Sequence, residues 1–248
     1  MQVFVHALIP VLLFAMFADA SGHAQENAEV NANRAIVDVD PFHDLKQELR
    51  LTWPKNRLVR FVFHGHSVPA GYFRTPVVRR FDSYPMLFHQ EMCKRYPNAV
   101  IDVSITAIGG ENSASGAKRF ADDVLVLKPD VIFIDYCLND RRIGVEEASK
   151  HWRSMIQQAR EKKIPVVLLT PTPDSNEDIT NPQSPLAAHA ESVRKLGSEF
   201  NLPVVDSYAA FQRLVSDGAE VSTYLSQPNH PNRLGHQVVA DAILKWFD

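Results

Sequence analysis

A chain of 248 residues with 45% apolar and 22% charged side chains can bury one full core, so a single globular domain is expected. The formal net charge is −3 and no Lys/Arg run occurs, which removes the electrostatic case for nucleic acid as a partner. Cys93 and Cys137 are the only cysteines, too few for a disulfide framework.

The first residues stand apart from the rest. Val3 to Phe17 is almost uninterrupted apolar sequence, and Ala18-Asp19-Ala20 forms a small-x-small signature before Ser21. This pattern predicts a secretory signal peptide over 1–20, with a second candidate cleavage after Ala24. The run carries no Lys or Arg ahead of it and is short for a membrane span. A secreted or periplasmic protein without stable membrane insertion after cleavage is therefore expected. Gln25 to about Ile36 is polar and without aromatics, as in a leader segment.

Asp40-Pro41 suits an N-cap and first helical residue, opening a short helix through Leu51. Leu58 to Phe63 is a continuous apolar, β-prone run of the kind buried on both faces of a parallel sheet. It breaks into His64-Gly65-His66-Ser67, so Ser67 falls just past a strand end, where open α/β folds place ligands. Ser83-Tyr84-Pro85 starts a helix with Leu87, Phe88, Met92 and Tyr96 at core spacing. Val100 to Ile105 is a second strand, followed by Gly109-Gly110 and a helix with Ala117, Ala121, Val124 and Leu125 on one face.

Val131 to Tyr136 is a third strand, ending in Asn139-Asp140, and Val145 to Lys162 a helix with Trp152, Met155, Ile156 and Ala159 as its buried stripe. Ile164 to Leu169 forms a fourth strand; the polar, proline-bearing loop from Asp174 to Pro185 has the length of a lid or a mobile segment. Leu186 to Phe200 is helical, Val204-Val205 a short strand and Tyr208 to Val215 a helix. The last helix is expected over Pro231 to Phe247, with Leu234, Val238, Ala242 and Trp246 on one face. Both cysteines sit in apolar patterns and are expected as buried thiols. Strands alternating with helices predict a three-layer α/β/α sandwich on a roughly five-stranded parallel sheet.

Acyl transfer by a serine needs a base within hydrogen-bond reach and donors for the developing oxyanion. Ser67 is the candidate nucleophile. His230 is the candidate base, and Pro231 as first helical residue would place it at an N-cap, whose dipole favours neutral imidazole. The backbone N–H groups of Ser67 and Gly110 and the side-chain amide of Asn139 are candidate oxyanion donors. The ordinary alternatives are a capping histidine, a glycine turn and an Asn-Asp cap. His64, His66, Arg141 and Arg142 are expected as solvated rim residues, and His189 as a surface or packing histidine.

Four segments, in order, resemble the blocks of the SGNH/GDSL hydrolases. They are Gly65-His66-Ser67-Val68, Ala107-Ile108-Gly109-Gly110-Glu111-Asn112, Cys137-Leu138-Asn139-Asp140 and Gln227-Pro228-Asn229-His230-Pro231-Asn232. The resemblance runs from about residue 58 to the C-terminus. It implies a flavodoxin-like SGNH fold over 56–248, behind a leader and short helix over 21–55. It further implies cofactor-free, metal-free ester hydrolysis, with Ser67, Gly110, Asn139 and His230 as the catalytic set. Export together with the resemblance suggests short acyl esters, acetyl on carbohydrate above all.

Three positions depart from the family pattern. His66 stands for the aspartate of GDSL, Cys137 for the glycine of G-x-N-D, and Gln227 for the acid three residues before the histidine. Without that acid, His230 needs Gln227, a backbone carbonyl or a recruited carboxylate, for which Asp217 and Glu220 are nearest in sequence. Two rival functions follow from the residues: a carbohydrate-binding relative that lost its acid, and a zinc hydrolase built on His64 and His66 with His230 and His236. The G-x-S-x-G elbow of α/β-hydrolases is absent, because Gly65-His66-Ser67-Val68-Pro69 lacks the second glycine.

Overall fold

Strand order 2-1-3-4-5 in one parallel sheet sets the position of everything else in the molecule. The computed structural model describes residues 40–248, and the predicted signal peptide and polar leader lie outside the described residues. The sheet strands are β1 (Leu58–Gly65), β2 (Val100–Ile105), β3 (Val131–Asp135), β4 (Val166–Leu169) and β5 (Val204–Val205). β1 pairs with β2 on one side and β3 on the other, all in parallel. Parallel strands need crossovers, and helices supply them on both faces. This is the flavodoxin-like order, whose topological switch lies between β1 and β3.

The helices are α1 (His43–Leu49), α2 (Ser67–Ala70), α3 (Tyr84–Arg95), α4 (Ser113–Asp123), α5 (Cys137–Asp140), α6 (Val145–Glu161), α7 (Pro185–Phe200), α8 (Ser207–Ser216) and α9 (Arg233–Leu244). Two cores sandwich the sheet. One joins α1, α3 and α9 to the sheet through Phe61, Phe63, Phe88, Phe133 and Phe247. The other packs α4 and α6 against Val62, Ile132 and Ile134. Alternate residues of β1 thus serve opposite cores, which is why Phe61-Val62-Phe63 is apolar without interruption. A small antiparallel pair, β6 (Leu225–Gln227) and β7 (His230–Pro231), sits before α9.

Several boundaries and faces differ from the sequence expectations. α1 starts at His43 with Phe42 at the N-cap position, so Asp40-Pro41 does not open it. On α4 the buried residues are Ser113, Gly116 and Phe120; Ala117, with Val124 and Leu125 just past the helix, packs on the core as expected, while Ala121 is exposed. Gly116 is inside through close approach: a Cβ there would lie 2.2 Å from the Tyr136 hydroxyl oxygen. α9 begins at Arg233, capped by the Asn232 side chain, and buries Gly235, His236, Val239, Ala240 and Ile243. Leu234 is exposed, so the true face lies one residue on from the expected one. Cys137 is buried as expected, but Cys93 is exposed, and both are free thiols. No helix among the described residues is long and apolar enough to cross a membrane.

Candidate active site

Polar residues converge where β1 and β3 end. β1 ends at Gly65, which must be glycine because a Cβ there would meet the Asp135 carbonyl oxygen at 2.4 Å. His66 caps the next turn: its Nδ1 accepts from the Val68 amide at 3.2 Å. Ser67 becomes the first residue of α2, a position whose N–H has no acceptor within the helix. Its side chain is 8% exposed, enough to meet a ligand from one side.

His230 arrives from the far end of the chain. Its Nε2 lies 2.9 Å from Ser67 Oγ, and its Nδ1 lies 3.3 Å from the Phe73 carbonyl oxygen. A carbonyl only accepts, so Nδ1 carries the proton and Nε2 is free to accept one from the serine. Burial pushes the His230 pKa below the ordinary imidazole value; the Phe73 carbonyl opposes this and nearby His66 adds to it. The neutral state comes from burial and not from a helix dipole, since His230 lies in β7, ahead of the Asn232 cap.

The other two candidate residues follow the ends of β2 and β3. Gly110, in the loop after β2, has φ +83° and open space around its missing side chain, so the left-handed turn requires glycine. Neighbouring Gly109 sits against the Tyr72 ring, where a Cβ would come within 2.8 Å. Asn139 on α5 is 7% exposed, and its Nδ2 donates to the Glu111 carbonyl at 2.8 Å. That bond fixes the amide and leaves the second N–H of the same nitrogen to point elsewhere. Asp140 beside it is structural: its oxygens accept from the Ser113 amide and from Trp152 Nε1, each at 2.7 Å.

Beneath Ser67 runs a buried polar chain that sequence reasoning did not anticipate. His66 Nε2 lies 3.2 Å from Asp135 Oδ1, and both side chains are almost fully buried. The two atoms meet as a close contact and not as a directed hydrogen bond, since neither has an aligned partner. The Tyr84 hydroxyl donates to Asp135 Oδ2 at 3.0 Å, and His236 Nδ1 accepts from the Tyr84 amide at 3.2 Å. Asp135→Ala would take away the acceptor of the Tyr84 hydroxyl in a dry site, and leaving a buried donor unpaired costs about 1–3 kcal/mol. Urea unfolding checks this; a loss below about 1 kcal/mol, the scale of an exposed pair, would contradict it.

The residues expected on a solvated rim are mostly inside. His64 is fully buried, with Nδ1 2.9 Å from Thr106 Oγ1 and Nε2 3.0 Å from the Tyr136 hydroxyl. Arg141 is half-buried, pairing with Asp174 at 2.7 Å and with Glu177; only Arg142 is exposed. The loop from Asp174 to Pro185 is therefore pinned by ion pairs, and the Ser175 amide also donates to the Pro228 carbonyl at 2.8 Å. His189 is a packing histidine, 4% exposed. Gln227 pairs with His230 only through the β6–β7 backbone ladder, and its side chain makes no bond to the imidazole: Oε1 accepts from the Thr75 amide at 3.0 Å. Neither Asp217 nor Glu220 is recruited; Asp217 ends α8, and Glu220 lines a separate hollow with Glu177 and Asp178. Among the described residues no three His, Cys, Asp or Glu side chains group so as to hold a metal ion.

An α/β/α sandwich carrying serine, histidine, glycine and asparagine at its strand ends is a hydrolase architecture. Residues 63–238 match the GDSL-like lipase/acylhydrolase family, and the chain belongs to it. It is a carboxylic-ester hydrolase acting on acyl esters. An acetylxylan esterase of Geobacillus stearothermophilus is 22% identical over 162 residues, spanning 60% of this chain and 74% of the relative. The crystal structure of that organism's acetylxylan esterase superposes with TM-score 0.66 at 21% identity, covering 76% of this chain and 94% of the other. An alpha/beta hydrolase enzyme from the metagenome of Lake Arreo, Spain, gives TM-score 0.68 at 19% identity, over 80% and 97% of the two chains.

Proposed function

We propose that this protein is an exported serine esterase that removes short acyl groups, above all acetyl, from carbohydrate. The observation that carries the mechanism is the 2.9 Å contact between Ser67 Oγ and His230 Nε2, backed by the Phe73 carbonyl on the other ring nitrogen. Ser67 Oγ attacks the ester carbonyl carbon while His230 Nε2 takes its proton. The tetrahedral oxyanion is held by the Ser67 and Gly110 amides and by Asn139 Nδ2. Its collapse breaks the bond to the alcohol oxygen, which leaves with the proton from His230. Water then repeats the sequence on the acyl-Ser67 ester, losing its proton to His230 and releasing the acid and free Ser67.

Similarity to an acetylxylan esterase supports acetylated glycan as the substrate class. Export rests on the signal pattern over 1–20. Incubation with a fluorophosphonate followed by peptide mapping should place the label on Ser67. Wild-type enzyme should release acetate from acetylated xylo-oligosaccharide and act poorly on an octanoyl ester of the same alcohol. Labelling elsewhere, or a preference for the octanoyl ester, would overturn the mechanism or the substrate class respectively.

A further inference from the structure

The acid position three residues before the base holds a glutamine, yet that glutamine is fully engaged. Its Oε1 accepts from the Thr75 amide at 3.0 Å, and its Nε2 faces Asn229 Oδ1 at 3.2 Å. Ser226 next to it donates through Oγ to the Phe73 carbonyl at 2.7 Å, and its own carbonyl accepts from Arg74 Nε at 2.9 Å. Residues 73–75 are thus tied to residues 226–227 at three points, across more than 150 residues of chain. The segment from Tyr72 to Val78 closes on itself through the Phe73 amide to the Val77 carbonyl at 2.9 Å and a bridge between Tyr72 and Val78. The Arg79 guanidinium lies 3.8 Å over the Phe73 ring. All of this fixes one atom that the base uses: the Phe73 carbonyl oxygen.

We propose that Gln227 and Ser226 are positioning residues that clip the 73–75 segment so that the Phe73 carbonyl, in place of a carboxylate, holds the Nδ1–H of His230. The proposal rests on His230 acting as the base. A glutamine in direct contact with an imidazole can offer its NH2 to Nδ1 and so hold the wrong tautomer; in the serine triad a wrong tautomer costs about 10⁴-fold. Here the Thr75 amide takes the Gln227 oxygen and Asn229 takes its NH2, which keeps the amide off the ring. The carbonyl that remains has no donor to offer and admits a single tautomer.

The test measures the pH dependence of kcat/KM, with kcat and KM separately, in Gln227→Ala, Ser226→Ala, Gln227→Glu and Gln227→Asp. Displacing a reacting group by about 1 Å can cost about 100-fold. Gln227→Ala and Ser226→Ala should lower kcat by about 10- to 100-fold with KM little changed. The Phe73 carbonyl raises the His230 pKa, so its displacement should also move the acid limb to lower pH. The other groups near His230, namely His66, His236, Tyr72 and Arg74, are unchanged in these variants. Gln227→Glu keeps an acceptor for the Thr75 amide and should restore most of kcat. Gln227→Asp supplies the family's acid but is too short for Thr75, and should stay below wild type.

An acid limb is independent of the amount of folded enzyme, so a poorly folding variant still reports on His230. Unchanged kcat and acid limb in both alanine variants, or Gln227→Asp above wild type, would overturn the clip while leaving the base assignment intact. Near-normal turnover by His230→Ala would overturn the base assignment itself.

Discussion

Replacing His230 with alanine is expected to lower kcat/KM by about 10⁴- to 10⁶-fold, and Ser67→Ala by the same order. The two changes should not add, because each already disables the one step in which the serine proton moves to the imidazole. A double variant no slower than either single one is the expected result, read from initial rates on an acetyl ester. Independent, multiplying losses would mean that the 2.9 Å contact is not the reactive pair. The wild-type acid limb of kcat/KM should fall below pH 6.5, the ordinary imidazole value, because burial disfavours the protonated ring. An acid limb above that value would place the titrating base elsewhere.

The second large effect is expected in acid, on stability. Burial pushes His64 and His236 down to about 3 and His189 to about 4, from an ordinary value of 6.5. Arg119 adds to the shift at His64, and Arg141 to that at His189. Below pH 6.5 the unfolded chain binds protons at these sites while the folded chain does not. Stability is therefore full above 6.5 and lost as pH falls toward the depressed values. Each such imidazole contributes a slope of about 1.4 kcal/mol per pH unit inside its window. Three together give about 4 kcal/mol per unit, against a total stability of about 5–15 kcal/mol for an ordinary domain. Urea midpoints measured between pH 7.5 and 4 should fall steeply. A flat profile down to pH 4.5 would show that these rings reach solvent or partners in the folded chain.

The sandwich was legible in the sequence because its strands are apolar runs or, in Val100 to Ile105, an alternation bounded by turn residues, and Phe61 to Phe63 is apolar on both faces of the sheet. The Ser67 and His230 segments were legible as strand-end and helix-entry motifs. What escaped depends on distances between segments. His64 and His66 read as rim residues because nothing local announces that Tyr136 and Asp135 will meet them from β3. On α4 the buried Gly116 was missed because it is inside for lack of a side chain, not for having an apolar one, and Ala121 alone of the expected face is exposed. The partner of His230 was least visible of all. Phe73 contributes a backbone carbonyl, an atom every residue has, so no side-chain pattern marks it. The useful signal was indirect: a glutamine where an acid belongs calls for an acceptor from elsewhere.

The nucleophile follows the first sheet strand and its partner precedes the final helix, 163 residues later. On the proposed mechanism, a ribosome-bound chain thus cannot cleave esters until the segment carrying His230 has emerged and docked. Turnover doubles as a readout of completed assembly, and two complementary fragments cut at the exposed part of the 174–185 turn would be silent apart and active only when reunited.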